Sequence, residues 1–330
     1  VKKLISISIF FLAGIAVQAQ DSHYSQFYAT QTYMNPAFAG GSIQHRMSAA
    51  YRNQWPNIPG SFQNYSFSYD RYAPNLNSGF GFLATRDQAG SGALSNTTAS
   101  LLYAYEARLA RGWFFRPALQ FSYNHRGINF GNLIFGDQLI RDDDVSLEEG
   151  IGNPVNYFDL GGGFLITSKR LWFGGAIHHI NQPNESLYGD VFAYNLRKYS
   201  VHGGYRVKFD SRFSKVKSSA LFAFNFKKQA DFAQLDVGAY YELNPFVAGI
   251  WYRGLPTKSN RYGYANHDAV ILIVGWYDGP YKFGYSYDVT ISQLGVGATG
   301  GSHEITLTYE WADKRNKRLA KRRIIPCAKF

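Results

Sequence analysis

Alternation with a period of two runs through most of this chain, from about Gln44 to Trp311. Leu101, Tyr103, Tyr105, Ala107 and Leu109 fall on one face of an extended segment. Ser100, Ala104, Glu106 and Arg108 fall on the other, with Leu102 as an apolar exception among them. Tyr199, Val201, Gly203, Tyr205, Val207 and Phe209 oppose Ser200, His202, Gly204, Arg206 and Lys208; Tyr281, Phe283, Tyr285, Tyr287 and Val289 oppose Lys282, Gly284, Ser286, Asp288 and Thr290. Successive side chains of a strand point to opposite sides, so the pattern predicts half-buried β-strands. Pro117 has no N–H to give a ladder and weakens its strand locally. No segment of comparable length carries the helical period. About fourteen strands are predicted, at 44–54, 61–72, 78–86, 94–109, 112–125, 155–167, 170–180, 197–209, 219–228, 232–241, 245–254, 267–277, 281–290 and 302–311.

The connections sharpen the architecture. Those after odd-numbered strands are mostly long, with 126–154 and 181–196 the longest, and those after even-numbered strands are mostly tight turns. Long loops at one end and short turns at the other are the signature of an outer-membrane barrel, and an even strand count puts both chain ends on the turn side, in the periplasm. The polar face supports this. A soluble sandwich fills its outer face with charge, whereas here that face is largely Gly, Ser, Ala, Asn and Gln. The opposite face is rich in Tyr and Phe, as in a lipid-facing band with aromatic girdles. The fold expected is all-β, a transmembrane antiparallel outer-membrane β-barrel. A large secreted all-β domain is the alternative.

Composition agrees. The 330 residues include 26 Phe, 25 Tyr and 33 Gly, with 17% charged residues, a single cysteine and two methionines. One cysteine excludes an internal disulfide framework and any zinc site built on several thiolates. At the amino end, Lys2-Lys3, an apolar run Leu4–Ala16 and Val17-Gln18-Ala19 form an export signal (1–19) with Gln20 as the expected mature start. A polar and aromatic segment, 20–43, precedes the barrel at 44–311, and a tail follows at 312–330. Of the net charge of +11, Lys2 and Lys3 carry +2, and the eight Lys/Arg and one Asp of the tail carry +7, leaving +2 for everything between. The basicity is therefore local, and export makes nucleic acid an unsuitable partner.

Candidate chemistry is sparse. Gly295-Val-Gly-Ala-Thr-Gly300 fits G-x-G-x-x-G by letters but lies between strands with no helix after it to receive a pyrophosphate, and reads as a flexible loop. Asp142, Asp143, Asp144, Glu148 and Glu149 crowd the longest loop without EF-hand spacing. His178 and His179 are neighbours on a strand, so they point apart and do not share one metal. No G-x-S-x-G or H-E-x-x-H motif occurs. No catalytic residue, cofactor or metal is assigned, and the chain reads as a non-enzyme. The tail differs: Arg315, Lys317, Arg318, Lys321, Arg322 and Arg323 are too dense to pack in a barrel wall and suit a solvated extension or a docking peptide.

Ordered motifs along the mature chain carry a family resemblance. Gln20-Asp-Ser-His-Tyr-Ser-Gln-Phe-Tyr-Ala and Tyr33-Met-Asn-Pro-Ala-Phe-Ala-Gly40 open it; Tyr51-Arg-Asn-Gln-Trp55, His179-Ile-Asn-Gln-Pro183 and Asn244-Pro-Phe-Val-Ala-Gly-Ile-Trp-Tyr-Arg253 follow. Tyr285-Ser-Tyr-Asp-Val-Thr-Ile-Ser292, Gly300-Gly-Ser-His-Glu-Ile305 and Ile325-Pro-Cys-Ala-Lys-Phe330 complete the set. The sequence resembles the PorP/SprF family of outer-membrane proteins of the Bacteroidetes type IX secretion system. Ala328 stands where the family's terminal Cys-Pro-x-Phe signature has Pro. The resemblance implies a non-enzymatic accessory barrel in the outer membrane that supports export or surface attachment of particular cargo, often large adhesins, and in some members gliding motility. The partners implied are a secreted cargo protein with a type IX C-terminal signal, other secretion components including a peptidoglycan-associated periplasmic protein, and outer-membrane lipid. A passive porin or hydrophobic-solute channel is the alternative.

Position and composition then nominate residues. Arg315, Lys317, Arg318, Arg322, Arg323, Cys327 and Phe330 are candidates for a periplasmic partner. Tyr24, Phe27, Asn35, Pro36 and Phe38 are candidates for plugging the lumen or docking below it. Asn181, Pro183 and Tyr188 are candidates for cargo contact at an outer loop.

Overall fold

The computed structural model describes residues 21–90, 94–129, 153–188, 191–209, 218–259, 265–313 and 325–327. The strands are β1 (His45–Gln54), β2 (Phe62–Ala73), β3 (Ser78–Ala89), β4 (Leu94–Tyr105), β5 (Ala107–Ala110), β6 (Trp113–Ile128), β7 (Val155–Thr167), β8 (Leu171–His178), β9 (Lys198–Phe209), β10 (Ser218–Gln229), β11 (Phe232–Leu243), β12 (Phe246–Ser259), β13 (Ala265–Asp278), β14 (Tyr281–Thr290) and β15 (Ser302–Trp311). Every pairing is antiparallel between neighbours in sequence, and β1 closes on β15, from His45 opposite Trp311 to Gln54 opposite Ser302. β4 and β5 form a single stave. Ala104 pairs with Ala118 and Ala107 with Phe115 in one register, and the ladder lapses between them, where Pro117 offers no N–H. The wall is thus a closed antiparallel barrel of fourteen staves, as the alternation predicts, with no free edge.

Burial follows the period of two. In β6, Leu119, Phe121 and Tyr123 are exposed while Ala118, Gln120, Ser122 and Asn124 are buried. The exposed face carries the large apolar residues, which is the inverse of a soluble protein and the arrangement a lipid surface requires. At the turn end, Tyr281 lies tilted against Tyr309 and Tyr309 against Trp311, with ring centroids 5.0 and 5.1 Å apart. Such amphipathic rings suit the membrane–water interface.

The inward face is where the alternation acquires exceptions. Leu83, Leu102, Leu165, Trp172, Leu221, Trp251, Ile271 and Ile273 all point inward and are almost wholly buried. Trp172 and Trp251 each lie over a directly opposed glycine, Gly204 and Gly238. A Cβ on Gly204 would stand 2.2 Å from the Trp172 ring, and one on Gly238 2.4 Å from that of Trp251. The inward glycines therefore make room for inward aromatics, a pairing that also pins the register.

Candidate functional site

What those inward residues pack against is the chain's own amino end. Residues 21–44 run through the lumen from the long-loop end to the turn end. A short helix α1 (Gln31–Met34) and a single 3-10 turn, Pro36–Phe38, lie midway. Phe27 meets the edge of Trp251 at 5.1 Å, Tyr28 that of Trp172 at 5.5 Å, and Phe38 lies 5.5 Å from His202. Burying each phenylalanine contributes about 1.5–3 kcal/mol. Asn35 caps the 3-10 turn, accepting from the Ala37 N–H at 2.9 Å, and donates to the Phe164 and Gly175 carbonyls at 3.0 and 3.1 Å.

Buried arginines fasten the segment to the wall. Arg52 and Arg253 both donate to the Asp288 carboxylate at 2.9 Å and to the Ser25 hydroxyl at 2.7 and 3.0 Å, and Arg253 also donates to Asp236 at 2.8 Å. Glu304 accepts from the backbone N–H groups of Ser25 and Gln26 at 2.6 and 2.9 Å. Arg46 pairs with Asp70 at 2.7 Å and donates to the Gln31 side chain, while the other Asp70 oxygen accepts from the Gly40 N–H at 2.7 Å. Arg116 pairs with Glu106 and donates to the Ala37 and Ala39 carbonyls at 3.0 and 2.5 Å. Each guanidinium thus has a carboxylate for its charge and spare N–H groups for the segment, the condition under which a buried ion is tolerated. Close approach completes the seat: a Cβ on Gly79 would stand 1.9 Å from the Ala39 carbonyl oxygen, and Gly40 has φ +63°, a conformation glycine adopts without cost.

Residues 325–327 lie inside the barrel near its turn side. Arg206, paired with Glu242, donates to the Pro326 and Cys327 carbonyls at 3.2 and 2.5 Å. The Gln31 side chain donates to Cys327 Sγ at 3.0 Å, and Ile325 is buried beside Gly41. Burial pushes the Cys327 thiol upward, so it is not an activated nucleophile.

Above the segment, in the long-loop half, the lumen opens into a chamber of about 500 Å³. Its lining is polar and small on β4 and β6, with Thr98 facing Asn124 and Ser100 facing Ser122. Asp21 marks its boundary with the segment. His179 hydrogen-bonds Asp21 at 2.8 Å and forms an ion pair with Asp159 at 2.9 Å, and Lys198 donates to Asp21 as well. Burial by itself raises Asp21, yet His179 and Lys198 hold it well below the usual carboxylate range. Burial by itself lowers His179, and the two carboxylates raise it to about 9.

A family model described as type IX secretion system membrane protein PorP/SprF matches residues 16–309. The chain belongs to the PorP/SprF family. That membership carries a role in type IX secretion and, with the barrel fold, placement in the outer membrane. No curated protein matches the chain. Among solved structures, the CymD monoaromatic hydrocarbon channel aligns over 86% of this chain and 93% of its own, at 10% identity and TM-score 0.48. The Acinetobacter baumannii outer membrane protein Omp33 aligns over 82% and 99%, at 6% identity and TM-score 0.43, and the KdgM porin over 81% and 99%, at 6% and 0.37.

In this PorP/SprF chain the nominated residues fall in three places. Tyr24, Phe27, Asn35, Pro36 and Phe38 come together inside the lumen, all buried. Asn181 is tied to the top of β7, donating to the Phe158 carbonyl at 2.8 Å and accepting from the Leu160 N–H at 3.0 Å; Pro183 is buried and Tyr188 is exposed. Cys327 lies under the lumen segment rather than in a free tail, because Arg206 and Gln31 hold it there. Arg315, Lys317, Arg318, Arg322, Arg323 and Phe330 lie outside the described residues, as do Asp142–Asp144, Glu148 and Glu149. Among the described residues, no group of three or more His, Cys, Asp or Glu is placed to hold a metal. Sequence reasoning missed Arg46, Arg52, Arg116, Arg206 and Arg253. Their signal was an arginine at an inward position of a strand, where a barrel stave has no use for a lone charge.

Proposed function

We propose that this protein is a non-conducting, non-enzymatic accessory of type IX secretion. Its long outer loops hold one or a few specific, adhesin-like cargo proteins during export or surface attachment, and in a gliding host this serves motility. The observation that carries the reading is the lumen, occupied by residues 21–44 and 325–327 on a set of paired arginines. A cargo polypeptide has no path through such an interior, so contact is made at the rim. There Tyr188, Phe192 and Tyr194 are exposed, and Phe192 stacks on Tyr194 with centroids 5.8 Å apart. In this reading a signal peptide is removed after Ala19, and the basic residues 315–323 meet the periplasmic components of the machine, a peptidoglycan-associated protein among them.

The test is deletion of the gene with quantitative mass spectrometry of surface and culture-fluid proteins. Loss of one or a few large exported proteins, with general secretion intact, is the expected outcome. An unchanged set overturns the proposal. Purified protein in planar bilayers is expected to conduct no ions, and a steady open conductance would favour the channel reading.

A further inference from the structure

The chamber above the lumen segment has chemistry that the secretion reading leaves unused. Most of its charges are paired within its own wall: Arg126 with Glu185, His179 with Asp21 and Asp159, and Lys198 with Asp21, while Asp87 accepts from an Asn64 N–H at 2.8 Å. The groups left over are three amides and one carboxylate oxygen, Asp159 Oδ1. Gln120 donates to Ser100 and Ser122 but its Oε1 has no partner among the described residues. Asn124 accepts from Thr98 at 2.6 Å and its Nδ2 has none; Asn96 Oδ1 is likewise unpaired. Gln120 and Asn124 are more than nine-tenths buried, and all three line the chamber. One free donor and three free acceptors call for a ligand whose groups both give and take hydrogen bonds, and the lining's carboxylates, Asp21, Asp87, Asp159 and Glu185 against the cations Arg126, His179 and Lys198, disfavour an anionic one.

The rim adds a second element. Trp55 and Phe62 also line the chamber, their rings 6.0 Å apart and nearly perpendicular. Trp55 holds φ +59°, a left-handed conformation unusual for a bulky residue, with its N–H bonded to the Gly301 carbonyl at 2.9 Å. Strained positions of this kind persist where the surroundings fix them and cluster at ligand sites. An aromatic face offers the apolar side of a sugar ring a platform while the amides meet its hydroxyls. The chamber's volume of about 500 Å³ lies within the size range of small-ligand sites.

We propose that the long-loop half of the lumen binds a neutral saccharide, with Gln120, Asn124 and Asn96 contacting its hydroxyls and Trp55 stacking on a ring face. Two sources carry this chemistry, surface polysaccharide and glycans attached to exported proteins. The experiment uses the full-length protein in detergent and titrates it calorimetrically with two probes. One is oligosaccharide released from the host's lipopolysaccharide; the other is glycan released from its exported proteins. Binding of either pool is expected, insensitive to salt between ~0.05 and ~0.5 M because no charge is exchanged. Gln120→Leu and Asn124→Leu are each expected to weaken it at least tenfold, with folding verified by heat-modifiable migration. Trp55→Ala, at the rim, gives the same readout without touching the interior wall. Whichever pool binds identifies the source. No binding of either pool, binding that collapses with salt, or affinity unchanged in all three variants overturns the proposal, as does a peptide that binds in place of sugar.

Discussion

The two halves of the lumen are enclosed by the same staves, yet they have opposite contents. Toward the turns, inward positions hold Leu165, Leu221, Trp251, Ile271 and the carboxylate-paired Arg46, Arg116 and Arg206, and the space is filled by Phe27, Tyr28 and Phe38. Toward the long loops, inward positions of β4 and β6 hold Thr98, Ser100, Ser122 and Asn124, and space remains. A barrel wall alone decides neither outcome. The lower half is built as a protein core with the amino-terminal segment as its missing layer, whereas the upper half is built as a vessel.

That contrast can be broken most forcefully at Arg253. Arg253→Ala leaves Asp236 and Asp288 buried without their shared cation, and a loss of roughly 3–5 kcal/mol is expected, read as a lower midpoint in urea-induced unfolding from detergent. Phe38→Ala, at a wholly buried site, is expected to cost about 3–5 kcal/mol less any local collapse. It should also let small ions leak in bilayer recordings where the parent does not. Gly79→Ala drives a methyl into the Ala39 carbonyl; about 1–3 kcal/mol is expected from overpacking, with faster hydrogen exchange confined to residues 37–41. In the vessel half, Ser122→Ala removes one hydroxyl that bonds Ser100 and Gln120, and a change near 0.5–1.5 kcal/mol is expected by the same urea assay.

The smallest effect sharpens the boundary between the halves. His179 is raised to about 9 from 6.5, so its tie to Asp21 is full below pH 6.5 and fades as pH rises through about 9. Asp21 is depressed below 3.8, so its share is present above that value and lost as pH falls well below it. Exchange of the Ser22 and His23 amides, corrected for intrinsic rate, should therefore accelerate between about pH 7 and pH 10 while that of Ala37 and Ala39 stays slow. Equal acceleration at both places would mean that the segment moves as one body.

Most of the wall was legible because each stave has a lipid side, and lipid enforces alternation there except near the strand ends, where Arg71, Arg86 and Lys228 face out. The predicted 155–167 is the observed Val155–Thr167, and where β12 runs on to Ser259, past the predicted 254, its alternation had already faded. The interior was less legible. Tyr24, Phe27 and Phe38 have no period because they sit on a winding segment that answers to the lumen and not to a plane. The clue was present in Leu102, an apolar residue on the polar side of its strand, which lies under Ala39 and Gly81. The inward glycines read as small polar-face residues only until the opposed Trp172 and Trp251 are seen. The placement of both chain ends on the turn side holds for β1 and β15, but Asp21 sits beside His179 and Lys198 at the other end. Strand counting does not register a segment that crosses inside the wall.

That hidden crossing makes the polypeptide traverse the membrane an odd number of times. An epitope inserted immediately before Asp21 is expected to be reached by antibody on intact cells, and one placed after Trp311 only after the outer membrane is breached. The barrel thus holds Asp21 and Trp311 at opposite mouths, so a partner that grips the chain at one of them is out of reach of a partner at the other.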